Sequence, residues 1–92
     1  MIRSFKDAEA ENILNRVHSR RFASIERVIL RKLRSLHRAT AIGDLMNPPG
    51  NRLEALKGNR AGQHSVRIND QWRICFRWEK GDAYEVEIVD YH

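Results

Sequence analysis

The chain is poor in the residues that punctuate or cross-link small proteins: one cysteine, two prolines and five glycines in 92 residues, with no apolar run longer than a few positions. A lone cysteine, Cys75, excludes an internal disulfide and a cysteine-based metal site and agrees with a reducing compartment; its expected role is a small packing residue. The short apolar runs exclude a membrane span. The opening Met-Ile-Arg-Ser-Phe-Lys has no apolar block behind it to make a signal peptide, so a cytoplasmic protein with no membrane contact is expected. The glycines are too few and too scattered to cradle a nucleotide phosphate, and no P-loop, dinucleotide fingerprint or Ser-His-Asp arrangement is visible. His18, His37 and His64 show no metal spacing with one another or with carboxylates, so neither a metal nor another cofactor is expected.

What is present is an ordinary globular composition, 41% apolar and 32% charged. A chain this short buries roughly three-fifths of its unfolded surface, enough for one core, so residues 1–92 are read as a single domain. Seventeen Lys and Arg against twelve Asp and Glu leave a charge of +5, which favours a polyanion or an acidic protein as partner.

Ile2 to Phe5 alternates like a short strand, and Asp7 is placed to cap a helix whose face is Ile13, Leu14 and Val17. Ile25, Val28, Ile29, Leu33 and Leu36 recur at three- and four-residue steps, predicting a helix over 24–38 with Ser24 as cap. Its other face, Arg27, Arg31, Lys32, Arg34 and Arg38, reads as a solvated basic surface. Pro48-Pro49-Gly50 ends the helical half. Strands are predicted at 63–68, 72–78 and 84–89, with a weaker one near 52–56. Helices followed by strands make an α+β fold, with N-terminal helices on one face of a mainly antiparallel sheet.

Parity sets the register. A three-residue loop at Asn69, Asp70 and Gln71 puts Val66 opposite Ile74, His64 opposite Phe76 and Arg67 opposite Arg73; a turn through Lys80-Gly81-Asp82 puts Ile74 opposite Ile88, Phe76 opposite Val86 and Trp78 opposite Tyr84. The apolar parity belongs under the helices, where His64 is expected as a hydrogen-bonded core residue. The other parity is polar and mostly positive: Gln63, Ser65, Arg67, Arg73, Cys75 and Arg77, with Glu85, Glu87 and Val89. Arg67 facing Arg73 leaves room for a phosphate, unless Glu87 neutralises the pair from its diagonal position; Arg77 reads as neutralised by Glu85. Tyr91 shares this parity near Arg73 and either stacks on a base or covers the sheet edge. Asp90 and His92 fall on the opposite parity unless the terminus bulges.

RNA is cut without a metal when its own 2′-hydroxyl attacks the neighbouring phosphate. That needs a base, a cation for the developing charge, and an acid for the leaving 5′-oxygen. Here His92 is the titrating candidate and Asp90 its orienting partner or a proton acceptor itself.

Pro49-Gly50-Asn51-Arg52-Leu53, Leu56-Lys57-Gly58-Asn59-Arg60, Gly62, Ser65, Trp72-Arg73-Ile74 and the terminal Asp90-Tyr91-His92 together resemble the HigB toxins of the RelE superfamily. The resemblance implies a RelE-like microbial RNase fold and a type II toxin: an endoribonuclease that enters the A site of the 70S ribosome, cuts translated mRNA, and is neutralised by a helix-turn-helix, HigA-like antitoxin. It implies that Lys57 stabilises phosphate charge, that Arg73 holds the scissile phosphate, and that Asp90, Tyr91 and His92 form a catalytic and base-stacking group. Arg60 and Arg67 are added as RNA-binding residues on their position and charge. The sequence departs from the family pattern at Glu54, where some HigB toxins carry histidine; a carboxylate cannot supply that cation, although it could act as a base. Two other readings stand beside this one: a RelE-like toxin with a non-RNA target, of the gyrase-inhibiting type, and a non-catalytic module binding RNA or protein.

Overall fold

A computed structural model describes residues 1–90 of the chain. Two helices, α1 (Ala8–Leu14) and α2 (Glu26–Arg38), precede a four-stranded antiparallel sheet of β1 (Glu54–Ala55), β2 (Gln63–Arg67), β3 (Trp72–Glu79) and β4 (Asp82–Asp90), ordered β1-β2-β3-β4. The helices cover one face, as the sequence predicts.

Asp7 caps α1 by accepting from the Glu9 amide at 2.9 Å, and its other carboxylate oxygen accepts from the Ile88 amide at 3.2 Å, so one side chain starts the helix and fastens it to β4. Ser24 does not cap α2. It lies within a 3₁₀ turn, Ala23–Ile25, and the helix starts after Ile25 with no side-chain cap. Glu26 in the first turn offsets the helix dipole instead and accepts from the Ser19 amide at 3.0 Å.

Ile29, Leu33 and Leu36 on α2 and Ile13 on α1 meet Val66, Ile74, Phe76, Val86 and Ile88 of the sheet in one buried cluster. Phe22 closes one side edge-on against Trp72, with ring centroids 5.0 Å apart. Lys32 is also buried, contrary to the solvated position expected of it. It stands three residues after Ile29 and four before Leu36, within the apolar arc, whereas Arg27, Arg31, Arg34 and Arg38 point away and are exposed. His64 packs with its ring stacked on Phe76 at 6.2 Å, and its buried Nδ1 has no hydrogen-bond partner among the described residues, so the hydrogen-bonded role expected for it is not met.

The first hairpin has the predicted register, Val66 with Ile74, His64 with Phe76 and Arg67 with Arg73. Its loop is tied by Asn69, whose side-chain oxygen accepts from the Gln71 and Trp72 amides at 2.9 and 2.8 Å. The second hairpin departs from expectation near its turn. Lys80 and Gly81, both at positive φ, make a two-residue turn, so Trp78 faces Ala83 and Arg77 faces Tyr84. An extra residue, Glu85 at φ 54, then shifts the ladder between Arg77 and Cys75, and Ile74 regains Ile88 as its partner. The segment around Ile2 and Phe5 bridges β4 in parallel, and the weak strand expected at 52–56 reduces to β1.

Candidate active site on the open face of the sheet

The face away from the helices is organised around Arg73. This residue is buried although its side chain belongs to the solvent-side parity, because the loop preceding β1 lies over it. Its Nε donates to Ser65 Oγ at 2.8 Å, and one terminal nitrogen donates to the Arg52 carbonyl at 2.6 Å and to the Ser65 carbonyl at 3.3 Å. The same nitrogen lies 3.4 Å from the Glu54 carboxylate. Bonds from two strands and a loop therefore fix the guanidinium plane before any ligand arrives.

Arg52 presents that carbonyl from the left-handed conformation, φ 44 and ψ 55. A non-glycine residue held there stores on the order of 1–3 kcal/mol of strain that its surroundings must offset. Beneath lies Asn51, nearly inaccessible, whose side-chain amide donates to the Leu45 and Asn47 carbonyls at 3.1 and 3.2 Å, while its oxygen accepts from the Lys32 ammonium. Burial, with the repulsion of Arg31 and Arg67 added, holds the Lys32 pKa below its ordinary value.

Cys75 forms the floor of the open face. Burial pushes its thiol pKa up, and the charged groups whose fields reach it are Arg60, Glu87, Arg73 and Glu54. Arg60 reaches Gln63 at 3.0 Å and Glu87 at 3.2 Å, and Lys6 approaches Glu87 at 3.7 Å. Glu87 thus serves Arg60 rather than Arg73, whose acidic neighbour comes from β1. Arg67 pairs with Asp70 in the loop, and Arg77 pairs with Glu79 and Glu85 and lies over the Tyr84 ring at 4.7 Å. The face expected to be mostly positive is consequently a lattice of alternating charges, with an acidic partner for each of these four arginines.

Of the residues singled out in the sequence, Arg73 and Arg60 flank Cys75, and Arg67 stands opposite Arg73 in the ladder. Lys57 is exposed at the start of the β1–β2 connection, where its carbonyl accepts from the Arg60 amide at 3.2 Å and its side chain makes no hydrogen bond or ion pair among the described residues. It lies three residues beyond Glu54, roughly 10 Å along an extended chain. Asp90 pairs with Trp72 at the end of β4 and accepts from the Gln71 side-chain amide at 3.2 Å. Tyr91 and His92 lie outside the described residues. Sequence reasoning missed the holding role of Ser65, the Glu54–Arg73 pair, and the contribution of Lys32 and Asn51. For Lys32 the signal was its place in the apolar arc of α2.

The fold is that of known bacterial toxins. The chain superposes on the YoeB dimer structure from Staphylococcus aureus with a TM-score of 0.61 at 17% identity, covering 99% of this chain and 94% of that one. It superposes on a mutant of YafQ from E. coli with a TM-score of 0.59 at 12% identity, covering 98% and 91%. At such identities the likeness defines the fold alone. Residues 3–92 match the model of the RelE-like toxin of type II toxin-antitoxin system HigB, and the chain belongs to that family. It is 49% identical over 61 residues to Toxin HigB-1 of Vibrio cholerae serotype O1, covering 66% of this chain and 64% of that protein. It is 41% identical over 61 residues to Endoribonuclease HigB of Proteus vulgaris, covering 66% and 65%. The matched stretch therefore spans just under two thirds of these relatives' length.

Proposed function

We propose that this chain is the toxin of a type II toxin-antitoxin pair and acts in the cytoplasm as an endoribonuclease that cuts mRNA at the A site of the ribosome, held inactive by a helix-turn-helix antitoxin. The similarity to Endoribonuclease HigB and the fold shared with YoeB and YafQ support this reading. The observation that carries it is Arg73, a cation buried on the open face and oriented by Ser65, the Arg52 carbonyl and Glu54. Such a group stabilises charge as it develops and needs no reorganisation during the reaction.

In this mechanism Arg73 holds the scissile phosphate while the adjacent 2′-hydroxyl attacks phosphorus and the 5′-oxygen leaves. Lys57, on the exposed connection, adds positive charge along the RNA, and Arg60 and Arg67 contact neighbouring phosphates. Asp90, Tyr91 and His92 supply proton transfer and base stacking. No metal is required, because the nucleophile belongs to the substrate.

The test is mRNA cleavage on translating ribosomes by the wild type, Arg73→Ala and His92→Gln, with folding checked by circular dichroism. Loss of His92 should lower the rate on the order of 10²-fold to 10⁴-fold with ribosome binding kept. Undiminished cleavage by both variants would remove the site assignment. Growth arrest with no cleavage by the wild type would instead favour a toxin with another target.

A further inference from the structure

We propose that Lys32 and Asn51 are positioning residues for Arg73: a buried brace that runs from α2 through the loop and ends at the Arg52 carbonyl. The proposal rests on the endoribonuclease reading, and it assigns a role in cleavage to a helix on the far side of the sheet.

The path is continuous. The Lys32 ammonium donates to Asn51 Oδ1; the Asn51 side-chain amide gathers the Leu45 and Asn47 carbonyls; the Asn51 backbone amide donates to the Pro48 carbonyl at 2.9 Å. Asn51 is thereby held through side chain and backbone at once. The next residue, Arg52, is the one in the left-handed conformation, and its amide donates to the Pro49 carbonyl at 3.1 Å. That conformation aims its carbonyl at Arg73.

Two features argue that this is more than loop packing. A buried lysine beside Arg31 and Arg67 is an expensive way to hold a loop, and an apolar side chain of the same length would fill the space without removing a charge from water. Strain of the kind seen at Arg52 persists where the surroundings over-determine it, and here what it delivers is an acceptor for the buried guanidinium. Without the brace Arg52 would relax to an ordinary conformation, its carbonyl would turn away, and the Arg73 guanidinium would lose the bond that holds it from the loop side.

A purely structural role and a positioning role predict different outcomes. Lys32→Met keeps the bulk and removes the buried charge but leaves Asn51 Oδ1 without its donor, so the two effects offset and thermal stability should change little. The single-turnover rate of mRNA cleavage per folded molecule should nevertheless fall on the order of 10²-fold, as for a misplaced reacting group, with ribosome affinity unchanged. Lys32→Arg should restore most of the rate. Because Lys32 acts through Asn51, the double variant with Asn51→Ala should cleave no more slowly than Asn51→Ala alone. A wild-type rate per folded molecule in Lys32→Met, or losses that multiply in the double variant, would overturn the proposal. If the wild type does not cleave RNA, the endoribonuclease reading fails and the brace is judged on the Arg73 Nε–H resonance. That signal should shift and broaden in Lys32→Met, and an unchanged signal would overturn the brace as well.

Discussion

The two arginine-bearing surfaces of this protein differ in how their charges are held. On the outer face of α2, Arg27, Arg31, Arg34 and Arg38 are exposed and have no ion-pair partner among the described residues. On the open face of the sheet, Arg60, Arg67, Arg73 and Arg77 each have an acidic neighbour, and Arg73 is also hydrogen bonded to both strand and loop. Charge in the first setting acts at a distance and is weakened by salt; in the second it has a fixed direction. The comparison teaches that positive charge in this chain is held in two ways, solvated on the helix and fixed in direction on the sheet, and that the direction comes from neighbours rather than from the arginine itself.

The largest expected effect separates the two faces directly. Arg73→Ala should reduce cleavage on ribosomes by about 10²–10³, the cost of removing one oriented charge-stabilising donor. Arg31→Ala, assayed at the same low salt, should cleave at nearly the wild-type rate. Equal losses would erase the distinction. A smaller effect should follow from Ser65→Ala, which removes the acceptor of the Arg73 Nε–H and leaves the charge in place. A drop of about tenfold is expected, at the lower end of the roughly 1.5–3 kcal/mol scale of one hydrogen bond to a charged group. Single-turnover kinetics would reveal it, and a full-sized loss would mean that Ser65 supports the fold rather than the orientation.

These contrasts also show what could be read from the chain alone. The first hairpin was legible because its apolar residues alternate without interruption and Asn69 supplies the turn chemistry. In the second, a turn one residue shorter than parity predicts and the extra residue at Glu85 cancel, so parity pairs Ile74 with Ile88 as the structure does but sets Trp78 opposite Tyr84, where the structure has Ala83. Parity cannot detect a bulge whose residue is not glycine. The candidate site was legible as a set of residue types, but its geometry depends on a loop crossing above β3 and on Glu54 meeting Arg73 from another strand. Neither approach has a local signature. Arg67 opposite Arg73 followed from strand position; Arg77 does pair with Glu85, but across the bulge rather than directly opposite it.

Salt dependence sharpens the comparison further. Removing one phosphate contact should reduce the slope of log affinity against log salt by about one, so Arg31→Gln will lower the slope if α2 touches RNA and leave it unchanged if that face is merely solvated. Arg73→Ala should lower it in either case. Titrating ribosome binding across salt concentrations decides between these outcomes.

The smallest effect concerns a carboxylate remote from both faces. The Thr40 and Ala41 amides donate to Asp44 and hold its pKa below the ordinary aspartate value. A depressed carboxyl stabilises the fold fully above its unfolded-state pKa, and that contribution is lost as pH falls through the folded-state value. Asp44→Asn should therefore flatten the acid limb of the stability curve and leave cleavage at neutral pH unchanged; an identical acid limb in denaturation experiments would show that these two hydrogen bonds do not matter.

The segment that bridges β4 has a bearing on solubility. Residues 1–6 exchange backbone hydrogen bonds with β4: Ala83 with Met1 at 3.0 Å, Arg3 with Ala83 at 2.8 Å, Val86 with Ser4 at 3.1 Å and Lys6 with Val86 at 3.0 Å. The Ser4 hydroxyl also takes up the amide of the bulged Glu85 at 2.9 Å. One margin of the sheet is thus already occupied, and the other is β1, only two residues long. A long, flat row of unsatisfied amides and carbonyls is the template on which sheet proteins add foreign strands and aggregate. With the first half of the β4 border covered by residues 1–6 and the opposite border cut short, the sheet presents a reduced edge for a second copy to extend.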